Sequence, residues 1–355
     1  MSDRARQSEK DAGGSATSVR TKPLVEVKNL KVYFPVSGGI FRRTVGHVKA
    51  VDDVSLSLAP GKIVSVVGES GCGKSTLGNA ILGLVQPTDG EVRLDGQRLD
   101  IHRKSSWDAY RKDFQIIFQD PYTSLNPRHT IFEIVSEPLL VHGLCDKKSA
   151  RDAVAALLAK VGLSPDYMGR YPHAFSGGQR QRINIARAIG LNPKAIVADE
   201  IVAALDVSIQ AQIINLLIEL KDELGLSLLF ISHDLSLVRS ISDEVYVMYL
   251  GRIAEAASAD QLFTRPRHHY TRALLDSIPT LDRSRRPALL SGEVPSPVNP
   301  PSGCAFHTRC PAVQDRCRKD RPELKTAQTD AGGNSIVAPD QSRAACWFPL
   351  PDSAS

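Results

Sequence analysis

The chain of 355 residues has no run of about 18 apolar residues, the length a helix needs to cross a bilayer, so no spanning helix is expected. Any membrane contact must then come through a partner. Strong charge of either sign is also missing: 44 basic residues stand against 39 acidic ones, a formal net charge of +5, without the basic field of a dedicated nucleic-acid binder. Residues 1–22 carry Arg4, Arg6, Lys10 and Arg20 among Ser, Ala and Gly but no apolar segment, which excludes a secretory signal there and predicts a disordered tail. Neither an internal repeat nor a heptad pattern appears. Cysteine is scarce, six in all, and no two have the C-x2–4-C spacing common in zinc sites. In a chain without a secretory signal these read as free thiols or metal ligands rather than disulfides. Hydrophobic content is nonetheless 42%, enough for a large core plus an appendage.

What the chain does have is Gly68-Glu69-Ser70-Gly71-Cys72-Gly73-Lys74-Ser75-Thr76, the G-x-x-x-x-G-K-S spacing of a phosphate-binding loop. Before it, Ile63 to Val67 is short and β-branched, as a buried strand is. After it, Leu77, Ile81, Leu82 and Leu84 recur at helical spacing. Strand, loop and helix follow in that order. The glycines let the backbone curl so that N–H groups and the positive helix end face one point, which suits phosphate oxygens. Lys74 can reach the β and γ phosphates and Ser75 offers a hydroxyl to Mg²⁺.

Around this loop the pattern is that of an α/β fold. Leu24 to Leu58 alternates in two apolar bursts, predicting antiparallel strands, and carries Tyr33 and Phe34, either of which can stack on a base or pack in the core. Phe114 to Phe118 reads as a buried strand ending at Gln119, which can reach Mg²⁺ or the attacking water. Residues 138–161 read as a helix. Ser176-Gly177-Gly178-Gln179 opens another, with Ser176 as N-cap and a second anion-facing terminus. Ala195 to Glu200 is an apolar strand ending in two carboxylates; Asp199 is placed to support Mg²⁺ and Glu200 to orient water. Leu228 to Ser232 is a strand that brings His233 to the same edge. Beyond a Pro-rich linker at 279–303, Cys304, Cys310, Cys317 and Cys346 are separated by five, six and 28 residues. So small a segment needs a staple, and zinc, a [4Fe–4S] cluster or no metal all remain open.

Taken together, the phosphate loop, Gln119, S-G-G-Q at 176–179, A-D-E at 198–200 and His233 resemble the ATP-binding subunits of ABC transporters. Longer runs are similar to the oligopeptide and dipeptide importer branch: F-Q-D-P-Y-T-S-L-N-P-R at 118–128, Y-P-H-A-F-S-G-G-Q-R-Q-R at 171–182, A-L-D-V-S-I-Q-A-Q at 204–212, Y-T-R-A-L-L at 270–275 and P-S-P-V-N-P-P-S-G-C at 295–304. The resemblance implies a P-loop ATPase domain over 23–278, with an antiparallel β subdomain and a helical subdomain at about 120–190, followed by a cysteine-bearing extension over 304–350. It implies ATP and Mg²⁺ as cofactors. Gly68 to Thr76 hold the phosphates; Ser75, Gln119 and Asp199 hold the metal; Glu200 is the general base, and Gln119 and His233 sense the γ-phosphate. Phe34 stacks on adenine, with Tyr33 the fallback. Ser176, Gly177, Gly178 and Gln179 face the nucleotide of a partner ATPase, expected to be a different chain.

The implied function is the motor of an ATP-driven peptide importer. It would sit peripherally on the cytoplasmic face of the inner membrane, bound to two membrane-spanning permease subunits and served indirectly by an external solute-binding protein. Motors for nickel and other solutes share these motifs. Soluble relatives acting on nucleic acid or ribosomes usually carry two cores or a coiled-coil insertion, and this chain has neither, so no nucleic-acid partner is expected. Relatives that share the N-P-P-S-G-C run include cluster-bearing subunits, which favours iron–sulfur at the four cysteines. Two positions depart from the family: Ile201 stands where Pro is usual, and Ala203 where Ser is usual. Both lie in the loop expected to cross the ATPase interface, so hydrolysis geometry or cross-talk is expected to weaken.

Overall fold

The structure, a computed structural model, describes residues 22–38, 43–278, 292–326 and 342–351. All but the last residue of the tail expected over 1–22, and much of the linker expected over 279–303, therefore fall outside the described residues.

The alternating stretch near the start folds as expected, with β1 (Val25–Gly38) pairing antiparallel to β2 (Arg43–Leu58). Next comes β3 (Ile63–Val67), buried at every residue, and α1 (Lys74–Ile81). The helix stops short of Leu84 because Gly83 turns left-handed at φ of +67° and the Leu84 amide donates back to Asn79 O at 2.9 Å; the buried Trp107 indole N–H satisfies the Ile81 carbonyl at 3.0 Å, and Leu84 is left exposed. With β4 (Asp89–Leu94) and β5 (Gln97–Arg98), the first two strands make an antiparallel sheet of order β2-β1-β4-β5.

After β6 (Phe114–Ile117) come α2 (Ile131–Val141), α3 (Ala150–Lys160) and α4 (Gly177–Ile189). The single helix predicted over 138–161 is thus two. A reciprocal cap between Thr130 and Glu133 starts α2 upstream, leaving Pro138 inside it. The Asp146 carboxylate then accepts the amides of Lys148 at 3.1 Å and Ser149 at 2.8 Å, a local turn that breaks the run before α3.

The remaining elements are β7 (Ala195–Asp199), α5 (Val207–Leu224), β8 (Ser227–Ser232), α6 (Leu235–Ile241), β9 (Glu244–Tyr249) and β10 (Arg252–Ser258). They are followed by α7 (Ala259–Thr264), α8 (His269–Asp276), α9 (Asp315–Lys319), β11 (Lys325–Thr326) and β12 (Arg343–Ala344). The second sheet runs β11-β12-β10-β9-β3-β8-β7-β6, parallel from β9 to β6 and antiparallel on the other side. Strands buried on both faces explain the near-continuous apolar runs. Ile63 and Val67 enter one core, shared with the helical region, whereas Val64 and Val66 enter the other, shared with α1 and the antiparallel sheet.

The cysteine-bearing extension does not stand alone. Its β12 adds to the core sheet at β10, the Ala345 amide donates to Ala254 O at 2.8 Å, and the Leu350 amide donates to Arg267 O at 2.8 Å. Phe306, 2% exposed, packs its ring 5.4 Å from that of Tyr249 and 5.3 Å from that of Tyr270. A segment too small to build a core thus borrows the core of the larger domain.

Candidate active site

Strands β3, β8, β7 and β6 are adjacent and parallel, so their carboxyl ends form one edge, the place where open α/β sheets bind ligands. Gly68, His233, Glu200 and Gln119 all follow at that edge. Pairing of Val67 with Ser232, Asp199 with Ile231 and Ile117 with Ala198 fixes their relative heights.

In the loop, Gly73 has φ of +106°, and a Cβ there would lie 1.9 Å from the Ala50 carbonyl oxygen, so no other residue fits. Lys74 is 3% exposed; its Nζ donates to the carbonyls of Gly68 at 3.0 Å and Glu69 at 3.1 Å, and lies 3.6 Å from Glu200 Oε1. Ser75 Oγ donates to Asp199 Oδ1 at 2.9 Å. Burial pushes the Asp199 carboxyl up, opposed by that hydrogen bond and aided by the charge of Glu200. A carboxylate and a hydroxyl side by side are hard oxygen donors of the kind Mg²⁺ takes.

Glu200 is the meeting point. Gln119 Nε2 donates to its Oε2 at 2.9 Å, and His233 Nδ1 lies 3.5 Å from the same oxygen. Glu200 has φ of +46°, a conformation that costs a non-glycine residue of the order of 1 kcal/mol and is held here by a hydrogen bond that the Glu200 amide N–H donates to Ile231 O at 2.9 Å. The site can therefore present a base, a cation and two polar sensors to one ligand group.

Phe34 and Tyr33 part company because successive strand residues face opposite ways. Phe34, 41% exposed, lines a cavity of about 350 Å³ together with Ser70 to Thr76, Gln119 and Glu200. Tyr33 instead donates its hydroxyl to Asp52 at 2.5 Å, where Arg252 also binds, and burial beside Asp52 pushes its phenol up to about 12. Tyr33 does not line the cavity and cannot replace Phe34 there. The cavity also takes in Val48, Ala50 and Leu250, which no short motif marks, and Pro297 of the 295–304 run. A larger cavity of about 650 Å³, beside Arg252, Arg321 and Arg343, is lined by none of the phosphate-loop, Gln119, Glu200 or Ser176 to Gln179 residues, although Cys304 borders it.

Ser176 caps α4 as predicted, accepting the Gln179 amide at 3.4 Å while the Gln179 side chain accepts the Ser176 amide at 3.1 Å. A Cβ on Gly178 would lie 2.5 Å from Ile209 Cγ2, so the close approach to α5 requires glycine. None of Ser176, Gly177, Gly178 or Gln179 lines the loop cavity of its own chain.

Cys304, Cys310, Cys317 and Cys346 all border one small cavity with His268 and Trp347. Burial pushes the thiol of Cys304 up to about 11 and that of Cys346 up to about 12, so both are protonated at neutral pH. The iron–sulfur expectation finds no support in this geometry: the four thiols border one cavity, but among the described residues no group of three or more His, Cys, Asp or Glu is arranged to hold a metal ion.

The profile of the family described as ABC transporter matches residues 51–203, and that of the oligopeptide/dipeptide transporter C-terminal region matches residues 254–317. Oligopeptide transport ATP-binding protein AppF of Bacillus subtilis is 50% identical over 316 residues, covering 88% of this chain and 96% of that protein. Oligopeptide transport ATP-binding protein OppF of Escherichia coli is 51% identical over 318 residues, covering 88% of this chain and 95% of that protein. Among solved structures, the dimeric post-hydrolysis state of the ATP-binding cassette MJ0796 bound to ADP and Pi matches with a TM-score of 0.58 at 29% identity, over 66% of this chain and 98% of that one.

The opposite facing of the two aromatic rings separates their roles. Phe34→Ala is expected to weaken adenine nucleotide binding about tenfold, the size of one base–aromatic stack. Tyr33→Phe is expected to leave it within about twofold. Calorimetric titration of both variants with ATP checks this, and the reverse ranking would remove Phe34 from the site.

Proposed function

The chain belongs to the ATP-binding proteins of ABC transporters, in the oligopeptide and dipeptide branch, and on that premise we propose that it is the ATP-binding and hydrolysing subunit of a peptide importer. One observation carries the chemistry: Lys74, Gln119 and His233 converge on the two carboxylate oxygens of Glu200 at the mouth of the phosphate loop. In this reading Lys74 meets the β and γ phosphates as a point charge, and the amides of Gly68 to Thr76 cradle them. Ser75, Asp199 and Gln119 hold Mg²⁺, which supplies charge neutralisation at the phosphates when bound. Glu200 takes the proton of the attacking water, and Gln119 and His233 report the γ-phosphate. Phe34 supports adenine.

Ser176 to Gln179 lie off the cavity of their own chain, which supports the reading that they close the site of a second ATPase subunit. The remaining partners are two permease subunits, with an external binding protein upstream. Among the described residues no helix is long and apolar enough to cross a membrane, and we place the chain peripherally on the cytoplasmic face of the inner membrane. The docking surface for the permease is proposed on the helical region. There Tyr122, Leu140 and Val141 are exposed apolar side chains, and the loop bearing Ser124 is tied to α4 by Asn184 and Arg187, each bond 2.8 Å. The four thiols are proposed as ligands of a [4Fe–4S] cluster, for which four cysteines are the donor set. Their convergence on one cavity supports this, and binding would release the protons that burial favours on Cys304, Cys310 and Cys346.

Four outcomes test these assignments. Glu200→Gln should bind ATP yet lose turnover in the assembled transporter, because an amide copies the shape of the base but accepts no proton. Lys74→Ala should lower ATP affinity about tenfold or more. Normal turnover in the first, or unchanged affinity in the second, would sink the corresponding role. Cysteines placed between Ser124 and Arg128 should cross-link to a permease subunit; reaction with the partner ATPase alone would move the docking surface elsewhere. Protein purified without oxygen should be brown and contain iron and sulfide, both lost in Cys310→Ser, whereas colourless, iron-free protein removes the cluster.

A further inference from the structure

One side chain reaches the phosphate loop from the far end of the chain. Arg309, 8% exposed, stands between Cys304 and Cys310, in a loop pinned by the buried ring of Phe306. Its Nη1 donates to Glu69 Oε2 at 2.7 Å and its Nη2 donates to Glu69 Oε1 at 3.0 Å, a two-point fork between residues 240 apart in sequence. The Glu69 amide donates to the Tyr270 hydroxyl at 3.0 Å, and the Glu69 carbonyl accepts Lys74 Nζ at 3.1 Å. Every polar group of Glu69 is thus held, and one of them holds the cation of the loop.

Nothing in the G-x-x-x-x-G-K-S spacing requires a carboxylate at position 69. A free negative charge beside a polyphosphate site repels the ligand, and a loop residue with an unheld side chain loosens the carbonyls that aim Lys74. We infer that Arg309 is a positioning residue for ATP binding: by clamping Glu69 it cancels that charge and fixes the first turn of the phosphate loop, which makes the cysteine-bearing extension part of the ATP site. This rests on the phosphate loop being that site.

The test measures ATP affinity of the full chain by calorimetry, and KM and kcat in the assembled transporter. Arg309→Ala is expected to weaken ATP binding about tenfold and to raise KM with kcat within about twofold, since it disturbs binding and leaves the base in place. Arg309→Lys keeps the charge without the fork and should fall between. Adding Glu69→Gln to Arg309→Ala removes the uncompensated carboxylate and should recover most of the affinity, a coupling that a role in folding alone does not produce. Arg316→Ala, on the same extension but stacked on Trp347, should bind ATP as the parent does. If Arg309→Ala and Arg309→Lys bind ATP like the parent while Lys74→Ala does not, the positioning role is wrong and the site stands. If Lys74→Ala also binds like the parent, the site itself is misread. An Arg309→Ala chain that fails to fold leaves Arg309→Lys to decide, and parent-like affinity there overturns the inference.

Discussion

The site turns on a buried ammonium. Lys74 is almost fully enclosed, and an enclosed cation without partners costs several kcal/mol, so the loop must supply acceptors in advance of any ligand. It does so with its own carbonyls at Gly68 and Glu69 and with the carboxylate of Glu200. Phosphate oxygens are stronger acceptors than amide carbonyls, so a nucleotide can take over the cation without first dismantling a strong pair. The same arrangement keeps Glu200 within reach of the reacting end while Gln119 and His233 bracket it.

That cation is aimed by elements spread over most of the chain. Adjacent parallel strands bring Gly68, Gln119, Glu200 and His233 to one edge, and the pairing register leaves little freedom in their heights. From Gln119 the chain passes to the Ser124 loop, which α4 holds through Asn184 and Arg187, and the first residues of α4 are the Ser176 to Gln179 cap. A shift at Gln119 therefore has a short path of hydrogen bonds to both the exposed apolar helical surface and the second anion-facing terminus. The exposed apolar helical surface and the α4 cap thus share one support.

Much of this was legible in the sequence because it is local. The phosphate loop, the Ser176 cap and the carboxylates at the end of β7 are each set by a handful of consecutive residues, and the structure puts them where the spacing does. Tyr33 against Phe34 was not legible, since the answer depends on which strand face meets Asp52 and Arg252, 19 and more residues away. The helix predicted over 138–161 failed because a favourable cap at Thr130 and a turn at Asp146 outweighed a continuous apolar face. Least visible was the extension. Its strands β11 and β12 are two residues each, too short to leave a pattern, and its hold on the core comes from Phe306 and Arg309, single residues whose partners lie far along the chain.

The two departures from the family pattern can be weighed on the same footing. Proline after the base would restrict its neighbour through a ring; here Ile201, 1% exposed, restrains the turn by burying its side chain in the core, and the Ala203 amide closes it by donating to Glu200 O at 3.0 Å. Glu200 keeps its left-handed backbone and its three polar neighbours under this arrangement, so the apolar anchor does for the base what ring stiffness does elsewhere. The expected weakening of hydrolysis geometry thus has no counterpart in how Glu200 is held. Ala203 differs, because it is exposed and puts a methyl on the surface where the family usually has a hydroxyl. What is lost there is a surface donor and acceptor, and not a contact that holds Glu200.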